Sequence, residues 1–193
     1  DTRTSREQLN QLADDAGRLG LQTQESVQSF VDAADKINVA LGDDLGDDAV
    51  DQIGKMAMAF GEDKKHGLNK AMLATGSVVN ELSQSSSASG GYLVQFAARM
   101  AGVGKQAGLT IPQIMSFGSV LDQNMQEVEV SATSLNQLIT AMFKEPAKFA
   151  QLAGMDVKKF TKLLKTDANQ ALLEFLATMK NTGGFDKLAP MFD

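Results

Sequence analysis

The sequence predicts an all-α protein, a compact bundle of about ten short to medium helices joined by tight turns that contain glycine. Helix-forming residues are plentiful, whereas Trp is absent and the 193 residues include only one Tyr and three Pro. Apolar residues recur at spacings of three and four along most of the chain, as on one face of an amphipathic helix. A glycine-centred junction that ends one helix and starts the next occurs three times.

The three junctions share one pattern: a small or apolar residue, a glycine, a large apolar residue and then a helix-capping residue. Glycine adopts the left-handed backbone that ends a helix, and the next apolar residue folds back on the last turn. Thr or Asp then accepts a hydrogen bond from a free amide of the following helix. The junctions are Leu19-Gly20-Leu21-Gln22-Thr23, Ala107-Gly108-Leu109-Thr110 and Ala153-Gly154-Met155-Asp156.

The N-terminal half predicts four amphipathic helices. A capping box of Ser5 with Gln8 starts the first, and the second runs from Thr23 to a stop at Gly42. The third ends at Gly61, and a polar break over residues 62–67 separates it from the fourth. The apolar faces of the last two helices are Val50, Ile53, Met56 and Phe60, then Leu68, Met72, Val78, Val79 and Leu82.

Residues 83–91 form the only low-complexity stretch, nine small or polar residues rich in Ser. This composition predicts a loop or hinge. It is a candidate sub-boundary in what is otherwise predicted as a single helical domain over residues 1–193. The alternative is that its Ser residues cap the helix that follows.

The C-terminal half predicts six further helices. Capping boxes are expected at Thr110 with Gln113 and at Asp167 with Gln170. The short run Val128-Glu129-Val130 is the best strand candidate in the chain, although it has no obvious partner strand. The apolar faces centre on Phe96, Ile114, Leu138, Phe149, Phe160 and Phe175.

Charge is distributed unevenly. The net charge of −6 argues against a free-standing nucleic-acid binder. Residues 1–98 carry a net −7 and residues 99–193 a net +1, whereas the 56 residues of 66–121 contain only four full charges. A centre this poor in charge is either buried or used for association, and polar residues interrupt it too often for a membrane span. The candidate self-association or partner surface in it is Tyr92, Phe96, Met100, Ile114 and Phe117.

Residue types that support catalysis or metal binding are sparse. Cys is absent, and the one His, His66, lies in a polar turn that predicts a solvated residue. The acidic stretch 43–51 departs from the calcium-loop pattern, which leaves a solvated turn or a weak cation site. The run 102–107 matches a relaxed dinucleotide or phosphate-loop pattern, but a helix precedes it where those motifs need a strand. We therefore predict no catalytic residue, no cofactor site and no small-molecule substrate.

A basic patch is predicted on one helix near the C-terminus. A solvated face is one interpretation, and a contact with DNA or an acidic protein is the other. No aromatic residues interleave for base stacking, so sequence-specific nucleic-acid binding is not supported. The patch consists of Lys158, Lys159, Lys162 and Lys165.

The stretch from Val78 to Thr178 resembles the core region of phage tail tape measure proteins. The residues that carry the resemblance are VVNELSQSSSASGGYLVQFAARMAGVGKQAGLTIPQIMSFGSVLDQN. The family typically shows, in this order, an uncharged segment of small residues, an apolar helix that ends in glycines, and a Gly-Leu-Ser/Thr junction followed by a helix with a central glycine. Gly108-Leu109-Thr110 corresponds to the family's Gly-Leu-Ser/Thr junction, and Gly118 corresponds to the central glycine of the helix that follows. Further matches are Leu19-Gly20-Leu21, Ser131-Ala132-Thr133-Ser134-Leu135, Pro146, Phe149 and Gly154-Met155.

This resemblance implies a non-catalytic structural protein of a phage or prophage tail, involved in tail assembly and tail-length determination. The implied partners are further copies of the chain, tail tube proteins and tail assembly chaperones. The implied location is the virion tail, and the host bacterial cytoplasm during assembly. Because the chain begins at Asp1 without Met, we expect a fragment of a much longer protein, with coiled-coil segments elsewhere.

Two other function classes remain open from the sequence. A helical protein-binding adaptor module unrelated to phage tails would have a discrete groove and a parent gene without long helical repeats. An enzyme would need a polar cleft with perturbed titratable groups, for which Asp43, Asp47 and His66 are the candidates.

Overall fold

The computed structural model of the chain describes residues 5–46, 48–124 and 126–181. Within these ranges it contains eleven α-helices, a short 3-10 helix at Gly42–Asp44 and no strand, which confirms the all-α fold class. The helices are α1 (Arg6–Arg18), α2 (Gln24–Leu41), α3 (Ala49–Ala59), α4 (Glu62–His66), α5 (Leu68–Ser85), α6 (Gly90–Gln106), α7 (Ile111–Asp122), α8 (Val128–Lys144), α9 (Pro146–Leu152), α10 (Val157–Thr166) and α11 (Ala168–Asn181).

All three predicted glycine junctions have the expected geometry. Gly20, Gly108 and Gly154 have φ values of 81°, 79° and 66°. At each one the glycine N–H donates to the carbonyl three residues back, and the next N–H donates to the carbonyl five residues back, which is the Schellman pattern. The capping residues that follow accept backbone hydrogen bonds as predicted, and they are Thr23, Thr110 and Asp156.

The predicted strand at Val128-Glu129-Val130 is wrong, because these residues begin helix α8. The Ser131 N–H donates to the Glu127 carbonyl at 3.0 Å, which closes the first helical turn. Val128, Ala132 and Leu135 are buried at spacings of four and three, so packing on one helix face overrides the strand preference of valine.

Two predicted turns differ in detail from the structure. The polar break at 62–67 contains helix α4, held between Gly61 and Gly67, whose φ values are 73° and 83°. In the low-complexity stretch α5 continues to Ser85, and Ser89 Oγ accepts a hydrogen bond from the Tyr92 N–H at 3.1 Å. The alternative that a Ser caps the next helix is therefore confirmed for Ser89.

The capping box predicted at Asp167 forms only in part. Asp167 Oδ1 accepts the Gln170 N–H at 2.9 Å, as expected. The Asp167 N–H donates to the Leu163 carbonyl at 2.7 Å, so it does not need the Gln170 side chain, which instead donates to Glu174 at 2.9 Å.

The chain divides into two units, and the division falls inside α6 and α8. Unit 1 comprises residues 1–102 and 110–133, and unit 2 comprises residues 103–109 and 134–193. In unit 1, α5 packs on α2, α3, α4 and α7, and α1 packs on α2. In unit 2, α10 packs on α9 and α11. The single domain over 1–193 and its sub-boundary at 83–91 stay predictions.

Helical glycines in unit 1 allow large apolar side chains of neighbouring helices to pack directly on the backbone. A Cβ on Gly118 of α7 would lie 2.8 Å from Phe96 Cδ1 of α6. A Cβ on Gly76 of α5 would lie 2.9 Å from Ile37 Cγ1 of α2, and Gly54 of α3 accepts Phe30 in the same way. These helices therefore approach closely only because the three positions lack a side chain.

We predict that Gly118→Ala lowers the free energy of unfolding by about 1–3 kcal/mol, because the added methyl displaces the Phe96 ring. Gly102 of α6 is the matched control, since a Cβ there meets nothing within 4 Å. Gly102→Ala should raise the free energy by about 0.5–1 kcal/mol through helix propensity alone. Urea denaturation measures both, and equal effects of the two variants would contradict the packing account.

Candidate functional site

Helix α10 presents the predicted basic patch at the surface of unit 2. The Asp156 side chain starts the helix by accepting the Lys159 N–H at 2.8 Å. Phe160 and Leu164 are buried, which fixes the orientation of the helix on α9 and α11. All four lysines of the patch are exposed as a result.

The positive charge of this face is not balanced by ion pairs among the described residues. None of Lys158, Lys159, Lys162 and Lys165 forms an ion pair with another residue in the described ranges. The nearby Lys148 of α9 does, because its Nζ lies 3.7 Å from Glu145 Oε2. Four exposed cations on one short helix attract an acidic surface over about one Debye length, roughly 8–10 Å at moderate salt.

The predicted association surface lies largely in the core. Phe96, Met100 and Ile114 are fully buried, so these three side chains are not available to a partner of the folded chain. Tyr92 and Phe117 are half-buried, and a surface formed by these two stays a prediction. The charge-poor centre thus reflects burial at these positions.

Tyr92 is held against this core. Its ring stacks on Phe96 with centroids 6.3 Å apart, and its hydroxyl donates to the Gln126 carbonyl at 3.5 Å. Burial, the largest cause, raises the pKa of the Tyr92 hydroxyl above its ordinary value. The side chain therefore remains a neutral hydrogen-bond donor at physiological pH.

The acidic stretch 43–51 contains a structural contact that sequence reasoning missed. Asp44 Oδ2 accepts the Gly90 N–H at 2.9 Å, which places a carboxylate at the start of α6. A Cβ on Gly91 would lie 2.8 Å from the Leu45 carbonyl oxygen, so the two glycines allow this turn to approach the helix. The Gly90-Gly91 pair at a helix start was the available signal.

No three His, Asp or Glu side chains in the described ranges lie close enough to hold a metal ion. Asp47 and the Asp43 side chain lie outside those ranges. Asp51 forms an ion pair with Lys55 at 2.5 Å. A weak cation site in this stretch therefore stays an untested alternative.

His66 is the exposed last residue of α4, with its Nε2 3.6 Å from Glu62 Oε2. The Lys65 ammonium donates to Glu62 at 2.8 Å, and this hydrogen bond is the main cause that lowers the pKa of the Glu62 carboxyl. The interaction is an exposed charge cluster on one helical turn, as expected for a solvated residue.

The glycine-rich run 102–107 continues helix α6 as far as Gln106, and the residues before it are helical rather than a strand. The structural context that a dinucleotide or phosphate loop requires is therefore missing here.

A cleft of about 640 Å³ in unit 1 is lined by residues that include Asp48, Gln52, Gln95 and Arg99. Arg99 is paired with Glu129 at 2.5 Å. Its charge is thus paired with a carboxylate at the start of α8.

A family model described as phage-related minor tail protein matches residues 1–191, almost the whole chain. The chain belongs to the family of phage-related minor tail proteins. No curated protein and no solved structure matches it.

Membership in the minor tail protein family makes the chain a structural component of a phage tail, and confirms the expected phage tail role at that level. Its partners are accordingly tail-associated. None of the helices described in this minor tail protein combines the length and apolar character needed to cross a bilayer.

We predict that replacing all four lysines of the α10 patch with Gln changes the free energy of unfolding by less than about 0.5 kcal/mol. The reason is that these side chains are exposed and make no ion pair within the described ranges. Phe160→Ala on the same helix should cost about 3–5 kcal/mol, because it empties a buried site. Urea denaturation followed by circular dichroism compares them, and a large loss in the lysine variant would show that the patch is structural.

Proposed function

We propose that the chain is a folded module of a tape measure protein, a longer parent chain that takes part in tail assembly and determines tail length. Membership in the minor tail protein family supports this proposal. The three glycine junctions and the Gly118 helix support it as well, because they occupy the positions at which the sequence resembles tape measure proteins. The family also favours a tail role over an adaptor unrelated to phage.

We infer that this module is not the segment of the parent chain that determines tail length. The longest helices in the part of the chain that the structure describes, α2 and α5, have 18 residues each and span about 27 Å. Seven glycines with positive φ lie in six of the connections between α-helices in the described ranges, so the chain cannot continue as one rod. A length-determining segment needs long uninterrupted helices with a fixed rise per residue. We therefore assign the length-determining segment to other parts of the parent chain.

The α10 lysine patch is the surface that we assign to a tail partner, namely an acidic protein such as a tail tube or assembly chaperone component. Its exposure, and the lack of ion pairs to these lysines among residues 5–46, 48–124 and 126–181, support an electrostatic contact. Self-association of the module within the tail belongs to the same proposal.

Deleting 193 residues of continuous helix elsewhere in the parent should shorten the tail by about 290 Å, at 1.5 Å per residue. Phe160→Ala in this module should instead reduce the number of tails and leave the length of the remaining tails unchanged. Electron microscopy of negatively stained tails measures both quantities. An unchanged tail length after the helical deletion would contradict the tape measure proposal.

Replacing the four lysines of the α10 patch with Gln should lower the yield of infectious particles while tail length stays constant. The control replaces Lys36, Lys64, Lys70 and Lys144 with Gln, since these lysines are also exposed and the change in net charge is the same. Plaque titres and tail counts compare the two variants. Equal yields of infectious particles from the two variants would contradict a specific role of the α10 lysine patch, because both variants change the net charge equally.

A further inference from the structure

Unit 1 contains an open groove between α1 and α2, with a volume of about 460 Å³. Its apolar lining includes Leu9, Ala13, Val27 and Val31, all of which are half-exposed. Asp32 lies on the same groove, is exposed and forms no ion pair with another described residue. The lining residues of α2 extend from Gln24 to Asp35, which corresponds to a length of about 17 Å.

Helix α11 in unit 2 carries a second apolar face in addition to the buried one. Leu173 and Leu176 are 45 % and 38 % exposed, and Ala177 and Lys180 are exposed as well. Their spacings of three, four and seven place them on one stripe. The buried residues Ala171, Leu172, Phe175 and Met179 occupy the opposite side of the helix. The four residues 173, 176, 177 and 180 are the α11 stripe.

We propose that the α11 stripe of one copy of the chain binds in the α1–α2 groove of a second copy, a contact that rests on the self-association proposed above. Among the described residues the two leucines remain exposed, so they are available to a second copy of the chain. The stripe is about 10 Å long and fits within the groove of about 17 Å.

Charge complementarity favours a second copy of the chain as the occupant. The stripe ends in Lys180, which has no ion-pair partner in the described ranges, and the groove contains the exposed carboxylate of Asp32. An apolar helix face that ends in a cation matches an apolar groove that carries an anion. The rest of the stripe contributes apolar contact area.

The proposed contact joins two different surfaces, so it is heterologous and can repeat from copy to copy. A contact of this size is weak between free molecules. It becomes effective where several copies are held together, as the proposed tail module requires.

Sedimentation equilibrium of the full 193-residue chain at high concentration tests the contact. Leu173→Glu with Leu176→Glu should weaken association by about tenfold or more, because charges replace two exposed leucines that the proposed contact would bury. Val39→Glu with Val120→Glu is the matched control, since these valines are 50 % and 58 % exposed and lie outside both the groove and the stripe. The control should associate as the unmodified chain does.

A charge exchange tests the pairing of the two surfaces. Asp32→Lys and Lys180→Asp should each weaken association, and the combination should restore it. Failure of restoration, or unchanged association in the leucine variant, would overturn the contact while leaving self-association intact. A strict monomer at all concentrations would overturn self-association itself, and neither result bears on tail length.

Discussion

The fold of unit 1 depends on helix pairs that approach closely at glycine. Phe30, Ile37 and Phe96 each pack on a glycine of a neighbouring helix, where even a methyl group would lie 2.8–2.9 Å from the side chain. Interiors are packed densely, so such positions determine which helices can be neighbours and at what distance. The Gly90-Gly91 start of α6 meets the same constraint against the backbone of Leu45. The burial of Phe96, Met100 and Ile114 follows from this packing.

Local features could be predicted from the sequence, and long-range ones could not. Schellman turns and capping residues involve neighbours within five positions, so Gly108 and Thr110 could be assigned directly. The Asp44–Gly90 hydrogen bond joins residues 46 positions apart, and no periodicity indicates such a pair. The strand at 128–130 was mispredicted because valine propensity is local, whereas the burial of Ala132 and Leu135 depends on packing. Exposed positions on α10 could be inferred from spacing, but which apolar residues face solvent on α11 could not.

Phe96, Met100 and Ile114 lie in the stretch that resembles tape measure proteins most strongly, and their side chains pack in the core and do not face a partner. Partner binding therefore depends on exposed side chains, and the net charge differs between the two units. Unit 1 carries a net −9 and unit 2 a net +3, and the four α10 lysines of unit 2 are exposed. Acidic and basic units in one chain favour contacts between chains and with charged tail proteins.

Electron cryomicroscopy of isolated tails can show whether this minor tail protein is a folded module held by glycine-packed helices. We expect density at one axial position that fits separate helices α2, α5, α6 and α7, with Phe96 against Gly118 and Ile37 against Gly76. The chain stretched along the tube as one continuous helix, with those pairs far apart, would contradict it.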